Sequence, residues 1–184
     1  MTRASRLFLS AAIGAIILIA GHAAASAQCP PGPNWTQKTK GITWGGCLFE
    51  VTYCYNAGPP VQIIILSVRN MLPFPCGDGT PATLLNTAEQ GVIAAEIGLG
   101  GEDPDHFWCN KPLTPTVHTV SRSLCYEDRG PALGLFACPG GTCQKTYKVV
   151  CDPGTGKLIF TLVAGPTIIG SCTPLPPCMM VPCN

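Results

Sequence analysis

Charge is scarce in this chain. Of its 184 residues, only 11% are Asp, Glu, Lys or Arg. Without Arg3 and Arg6 near the start, 9 basic residues (11 − 2) face 10 acidic ones, and no basic stripe runs along any segment. That excludes the electrostatic footprint of a nucleic-acid binder, so no nucleic-acid partner is expected. Long apolar runs are missing after residue 27, so no membrane span is expected once that segment is removed. Compact chemical motifs are missing too. There is no Gly-x-Ser-x-Gly, no His-Glu-x-x-His, no phosphate-cradling Gly-x-x-x-x-Gly-Lys and no dinucleotide glycine pattern. A Ser-His-Asp triad gathered from distant residues stays open, because triads are defined by geometry and not by spacing. No Cys-x-x-Cys occurs, which argues against a thioredoxin-like redox role. Cys-x-x-Cys-His is likewise absent, and with it the signature of covalent haem. No cofactor is implied.

What the chain does have is cysteine, glycine and proline: 12, 21 and 19 residues respectively. Residues 1–27 read as a secretory signal peptide. Arg3 and Arg6 make a basic start, an apolar run extends from Leu7 to Ala20, and Ala25-Ser26-Ala27 is a small-residue cleavage site. The expected mature chain is a single domain from 28 to 184, with a Pro- and Cys-rich tail from about 165. Every cysteine lies after the leader: Cys29, Cys47, Cys54, Cys76, Cys109, Cys125, Cys138, Cys143, Cys151, Cys172, Cys178 and Cys183. An even count in an exported chain predicts disulfides, and it predicts a secreted location: extracellular, cell-surface or periplasmic. Cys138 and Cys143 are too widely spaced for a zinc knuckle. They flank Pro-Gly-Gly-Thr, a turn that can fold back, so they are expected to pair locally. Cys178-Met179-Met180 offers soft copper ligands, but thiols on an oxidising route are expected in disulfides instead.

Two hairpins organise the rest. In the first, Phe49, Val51, Tyr53 and Tyr55 alternate with Leu48, Glu50 and Thr52, the period of a half-buried strand. Ala57-Gly58-Pro59-Pro60 makes the turn. The return run, residues 61–68, is apolar on both faces and is expected to be central and covered on both sides. Cys47 and Cys54, about 23 Å apart along one strand and on opposite faces, cannot pair with each other. The second hairpin repeats the plan: Cys143, a strand, Cys151, an Asp152-Pro-Gly-Thr-Gly156 turn and a returning apolar run. Between the two lies a helix. Thr80 suits its N-cap and Pro81 its first turn, and Leu84, Leu85, Ala88, Val92, Ala95 and Leu99 form its apolar stripe. Ile93 and Ile97 fall off that stripe; they either pack under a loop or form an exposed patch that meets a partner. Glu89 and Glu96, seven apart on the helix, read as solvated carboxylates beside it. The expected fold is α+β: a small antiparallel sheet of about five strands, containing the two Cys-bracketed hairpins, with one packed helix and many disulfides.

Few residues suggest chemistry. Glu102, Asp103, Asp105 and His106 form the most polar cluster. Asp103, Asp105 and His106 are weak candidates for holding a hard cation through oxygen-rich ligation, although the spacing is not that of an EF-hand. His118 reads as a strand side chain. Trp35 and Trp44 read as caps on a small core before they read as a sugar-binding platform. Asn34-Trp35-Thr36 is a glycosylation sequon. The composition therefore points to a non-enzymatic exported protein with a structural or binding role, meeting a protein partner or copies of itself. The alternative is a small secreted hydrolase, metal-dependent or not, built on Glu102, Asp103, Asp105 and His106. A stapled inhibitor or toxin-like module is a third class, for which the chain is long.

Overall fold

The computed structural model describes residues 28–44, 47–71, 80–97, 109, 114–130 and 134–184, with backbone only at Trp44 and Cys47. Nine strands and one helix follow in the order β1 (Thr36–Trp44), β2 (Cys47–Asn56), β3 (Val61–Asn70), α1 (Pro81–Glu96), β4 (Thr116–Ser123), β5 (Cys125–Asp128), β6 (Leu135–Ala137), β7 (Thr142–Cys151), β8 (Leu158–Ile169) and β9 (Cys178–Met180). All nine strands belong to one sheet. Both predicted hairpins form: β2 pairs antiparallel with β3, and β7 with β8.

The sheet as a whole overturns the expectation of a small antiparallel one. It is larger, mostly β, and mixed. β3 and β4 run parallel, with residues 61–65 beside residues 118–122. The reason lies in the connection. Parallel neighbours need a long crossover, and the segment between β3 and β4 carries α1. The sheet also forks. Beyond the stretch that pairs with β4, Ser67 and Val68 of β3 pair antiparallel with β6, which continues to β5 and then β9. The other branch runs from β4 to β7 and β8. The polar β1 and the three-residue β6 and β9 carry no apolar periodicity strong enough to announce a strand, which is why five were expected.

β3 is central, as its composition suggests, but not by simple alternation. Tyr53 pairs with Ile65 and Thr52 with Ser67, so Leu66 is an extra residue in a bulge. The bulge shifts the phase and places Ile63, Ile65 and Val68 on one face, each 0–1% exposed. Ile64 lies on the other face, opposite Cys54, and is only half-buried. Cys54 on that face is tied to the lead-in segment by the Cys29–Cys54 disulfide.

α1 begins as predicted: Thr80 is the N-cap and its hydroxyl accepts from the Thr83 amide, with Pro81 in the first turn. Its buried face is Leu85, Ala88, Glu89, Gly91, Val92, Ile93 and Ala94. Ile93 is therefore core, 0% exposed, and Ile97 packs partly against the same core; neither belongs to an exposed patch. Gly91 is where Ile42 of β1 rests on the helix, and a Cβ there would collide with the Ile42 side chain. Leu99 lies outside the described residues.

Five disulfides lie among the described residues: Cys29–Cys54, Cys109–Cys151, Cys125–Cys172, Cys138–Cys178 and Cys143–Cys183. The expected Cys138–Cys143 link does not form. Cys143 sits in β7 on its buried row and Cys138 follows β6, and each meets a tail cysteine that crosses its strand. Cys76 and the Cys47 side chain lie outside the described residues. Three of the five links end in the tail. A crosslink closing a loop of some 40 residues stabilises by about 3–4 kcal/mol in the chain-entropy account, which compensates for a tail with almost no buried side chains of its own. This density of crosslinks is compatible with export into an oxidising environment. No helix among the described residues is long and apolar enough to cross a membrane.

The asymmetry of β3 gives a direct test. Ile63→Ala is expected to cost about 2–5 kcal/mol and Ile64→Ala about 1 kcal/mol. Urea unfolding of the oxidised variants measures both. Equal costs would contradict the one-sided burial of this part of the strand.

Candidate functional site

Two features stand out once the sheet is formed: a buried charge cluster beneath the helix, and an exposed apolar edge outside it.

The cluster centres on Glu89 of α1, which is 1% exposed. Strand alternation turns His118, Val120 and Arg122 of β4 toward the helix, and Cys143, Lys145, Tyr147 and Val149 of β7 likewise. Arg122 Nε donates to Glu89 Oε1 at 2.9 Å, Lys145 Nζ to Oε2 at 3.1 Å, and the Tyr147 hydroxyl to Oε2 at 2.7 Å. Lys145 Nζ also donates to Asn86 Oδ1 at 2.6 Å, one helical turn earlier. Arg122 Nη2 donates to the Pro182 carbonyl at 2.6 Å, so the tail closes the far side of the cluster. Seven residues along the helix, Glu96 is held in a similar way by Lys38 of β1 and Tyr53 of β2, each at 2.6 Å. The reading of both glutamates as solvated is thus wrong: each is drawn under the sheet by donors from two strands, Glu89 by Arg122 of β4 with Lys145 and Tyr147 of β7, Glu96 by Lys38 of β1 and Tyr53 of β2. Periodicity alone places them beside the apolar stripe; only the cross-strand register supplies their partners.

The electrostatics follow from burial. Burial lowers the Lys145 ammonium below its ordinary value, partly offset by the attraction of Glu89. The Tyr147 and Tyr53 phenols are pushed far up, first by burial and then by the glutamate each one faces. His118, 3% exposed, bonds through Nε2 to the Thr116 hydroxyl at 2.9 Å, and Nδ1 has no partner among the described residues. Burial lowers its imidazole from the usual 6.5, against a weaker pull from Glu96. With Arg122, Glu89 and Lys145 at 0–3% side-chain exposure, no substrate can reach this cluster as it stands. Its chemistry is that of a fixed lock between helix and sheet.

The exposed feature is β8 together with the tail. Residues 158–184 contain no Asp, Glu, Lys, Arg or His. Among the described residues, eight of the eleven large apolar side chains most exposed to solvent belong to this stretch: Ile159, Leu162, Val163, Ile168, Ile169, Leu175, Met179 and Met180. Among the described residues, β8 is the last strand of its branch. Along its core-facing row burial fades from Leu158 to Phe160 to Leu162, which stands opposite Tyr147 and is 44% exposed. Leu175, in the tail, is 69% exposed. The apolar character of 158–163 was visible in the sequence, but its exposure was not, because an apolar return strand ordinarily marks a covered one.

Glu102, Asp103, Asp105 and His106 lie outside the described residues. Among the described residues, no three His, Cys, Asp or Glu side chains stand close enough to hold a metal ion. Cys138, Cys143 and Cys178 are in disulfides, which takes them out of consideration as zinc or copper ligands.

Removing the Glu89 charge leaves two buried cations without an anionic partner, so Glu89→Gln is expected to cost about 3–5 kcal/mol. The combined change Glu89→Leu, Arg122→Met, Lys145→Met should restore much of that loss, and thermal and urea unfolding measure both. The His118 prediction is one of sign. Its folded value lies below its unfolded one, so the unfolded chain takes up the proton first. Stability is therefore lost as pH falls through about 6.5 and is unaffected above it. The stability difference between wild type and His118→Gln, followed from about pH 8 to 5, should shrink on acidification. A pH-independent difference would contradict the burial of a neutral imidazole.

No family model matches the chain, and no curated protein and no solved structure matches it.

Proposed function

We propose that this is an exported, disulfide-stapled protein with a non-enzymatic binding or structural role at the cell exterior, and that it acts through the apolar surface of β8 and the tail. One observation carries the reading: a charge-free stretch, residues 158–184, lies largely exposed on a scaffold that holds it there covalently. Soluble proteins rarely present a contiguous apolar surface of this kind unless something covers it. Cys172, Cys178 and Cys183 tie the stretch to β5, to the end of β6 and to β7, so it cannot fold away into a core of its own. The hydrolase alternative rests on Glu102, Asp103, Asp105 and His106, and no observation on the described residues favours it.

The reading makes a salt prediction. Binding through a charge-free surface is insensitive to ionic strength, because there is no Coulomb term to screen. The oxidised protein should be retained on the surface material of cells that export it, equally well at low and high salt. Ile168→Lys combined with Leu175→Lys should reduce retention at least tenfold while leaving the disulfide map and circular dichroism intact. Retention that falls steeply with salt, or that survives both lysines, would overturn the proposal.

A further inference from the structure

We infer that the Cys143–Cys183 link is a redox latch on the tail: an external dithiol opens it ahead of the other four described disulfides, and residues 181–184 then lift off the buried charge cluster. The inference does not depend on the binding reading above. Its basis is the setting of this one link. Cys143 stands directly opposite Arg122 across the β4–β7 ladder. Directly opposed residues share a face, with Cβ atoms about 5 Å apart. Arg122 Nη2 also donates to the Pro182 carbonyl at 2.6 Å, so the guanidinium reaches the residue next to Cys183. A fixed positive charge therefore lies beside both ends of the disulfide. The other bonded strand cysteines have no such neighbour. Cys54 faces Gln37 and Ile64, Cys151 faces Leu158, and Cys125 faces Met180. Cys178 faces Glu127, whose carboxylate opposes a thiolate.

Thiol–disulfide exchange proceeds by attack of a thiolate on one sulfur while the other leaves as a thiolate. Cys143 is 1% exposed, whereas Cys183 is partly exposed. The first thiolate of the dithiol accordingly attacks Sγ of Cys183. The S–S bond breaks and its electron pair stays on Sγ of Cys143. A mixed disulfide joins Cys183 to the reductant, and the reductant's second thiol displaces it. The dithiol ends as a disulfide and the protein pair has gained two electrons. Of the dithiol's two protons, one goes to Cys183 and one to solvent. A leaving thiol of lower pKa leaves faster, and an adjacent guanidinium lowers that pKa. The charged groups around Cys143 are Arg122 from β4, Lys145 on its own row of β7 and Glu89 from α1. Burial keeps the Tyr147 and Tyr126 phenols neutral, and β8 and the tail bring no charge. Two cations against one anion leave the Cys143 thiolate in a positive field.

The extent of release follows from the remaining anchors. Cys178 stays bonded to Cys138. Val181, 2% exposed, donates its amide to the Leu124 carbonyl at 2.9 Å and is the first residue beyond β9. Opening Cys183 thus frees residues 181–184 and takes the Pro182 carbonyl away from Arg122. A cluster sealed while the link is closed then meets solvent.

Reduction of the oxidised protein by dithiothreitol, quenched by alkylation and mapped by mass spectrometry, gives the order of opening. Cys143 and Cys183 should be labelled at least tenfold sooner than the other four described pairs. In that singly opened form the Val181 amide should lose protection from hydrogen exchange. The Cys178 amide, bonded to the Leu175 carbonyl, should keep its own. Arg122→Gln should slow the opening of Cys143–Cys183 at least tenfold and leave the other rates unchanged. The direction is diagnostic, because an arginine that only held the tail in place would, once lost, loosen the link and speed its opening. Cys183→Ser gives a second reading with Arg122 intact. Its ultraviolet thiolate absorbance should show Cys143 ionising below the ordinary thiol value of about 8.5. Another link opening first, a rate unchanged or raised by Arg122→Gln, or a Cys143 thiol titrating at or above that ordinary value would each overturn the inference.

Discussion

A single carboxylate, that of Glu89, fixes where the helix sits on the sheet. It receives donors from β4 and β7, two strands that become neighbours only after the crossover is complete. Two cations and one anion removed from water carry a large desolvation cost, and an apolar replacement of the same volume is often no less stable. What the ionic version adds is directionality. Dispersion contacts tolerate a helix that slides or rotates, whereas Glu89 is satisfied in one position only. Glu96 with Lys38 and Tyr53 repeats the device two turns on, against β1 and β2. Gly91, between them, lets Ile42 settle against the helix. The helix is clipped to both wings of the sheet, and the apolar residues of β3 fill the space between.

That lock also explains the distribution of disulfides. Where helix and sheet face each other, burial and ion pairs hold the chain, as at Leu85, Val92 and Ile63. The crosslinks sit where burial is thin: the lead-in, the β7–β8 corner and the tail. Cys143–Cys183 and the bond from Arg122 to the Pro182 carbonyl act at adjoining residues, so the last tail staple also seals the charge cluster. Covalent anchoring has a further consequence. A tail held by Cys172, Cys178 and Cys183 can leave Leu175 and Met180 in water without losing its place. Apolar surface that would otherwise drive collapse or loss of structure becomes a stable external feature.

Two of the sheet's described ends, β1 beyond β2 and β8 beyond β7, differ, and the difference is physical. One wing closes on β1, whose lysines make it unattractive to another strand; the other closes on β8, whose side chains are apolar on both faces. The bulges at Val163 and at Gly165 with Pro166 limit how much of β8 is regular.

Local pattern alone determined a good deal of this protein. Alternation in residues 47–55 and 143–151, turn chemistry at Pro59 and Asp152, and the Thr80–Pro81 cap each depend on near neighbours, and all are found where those neighbours put them. Geometry along one strand also sufficed to separate Cys47 from Cys54, since a bond that short cannot span that length of extended chain. The tertiary structure decided whatever depends on which segments meet. The parallel β3–β4 pairing, the phase shift at Leu66 and the tail partners of Cys138 and Cys143 arise from contacts tens of residues apart, which a local period does not encode. The fates of two like-looking features show this best. Glu89, polar and expected in water, is buried because Arg122, Lys145 and Tyr147 converge on it; Leu162, part of an apolar return run, is exposed on a strand that, among the described residues, ends its branch of the sheet.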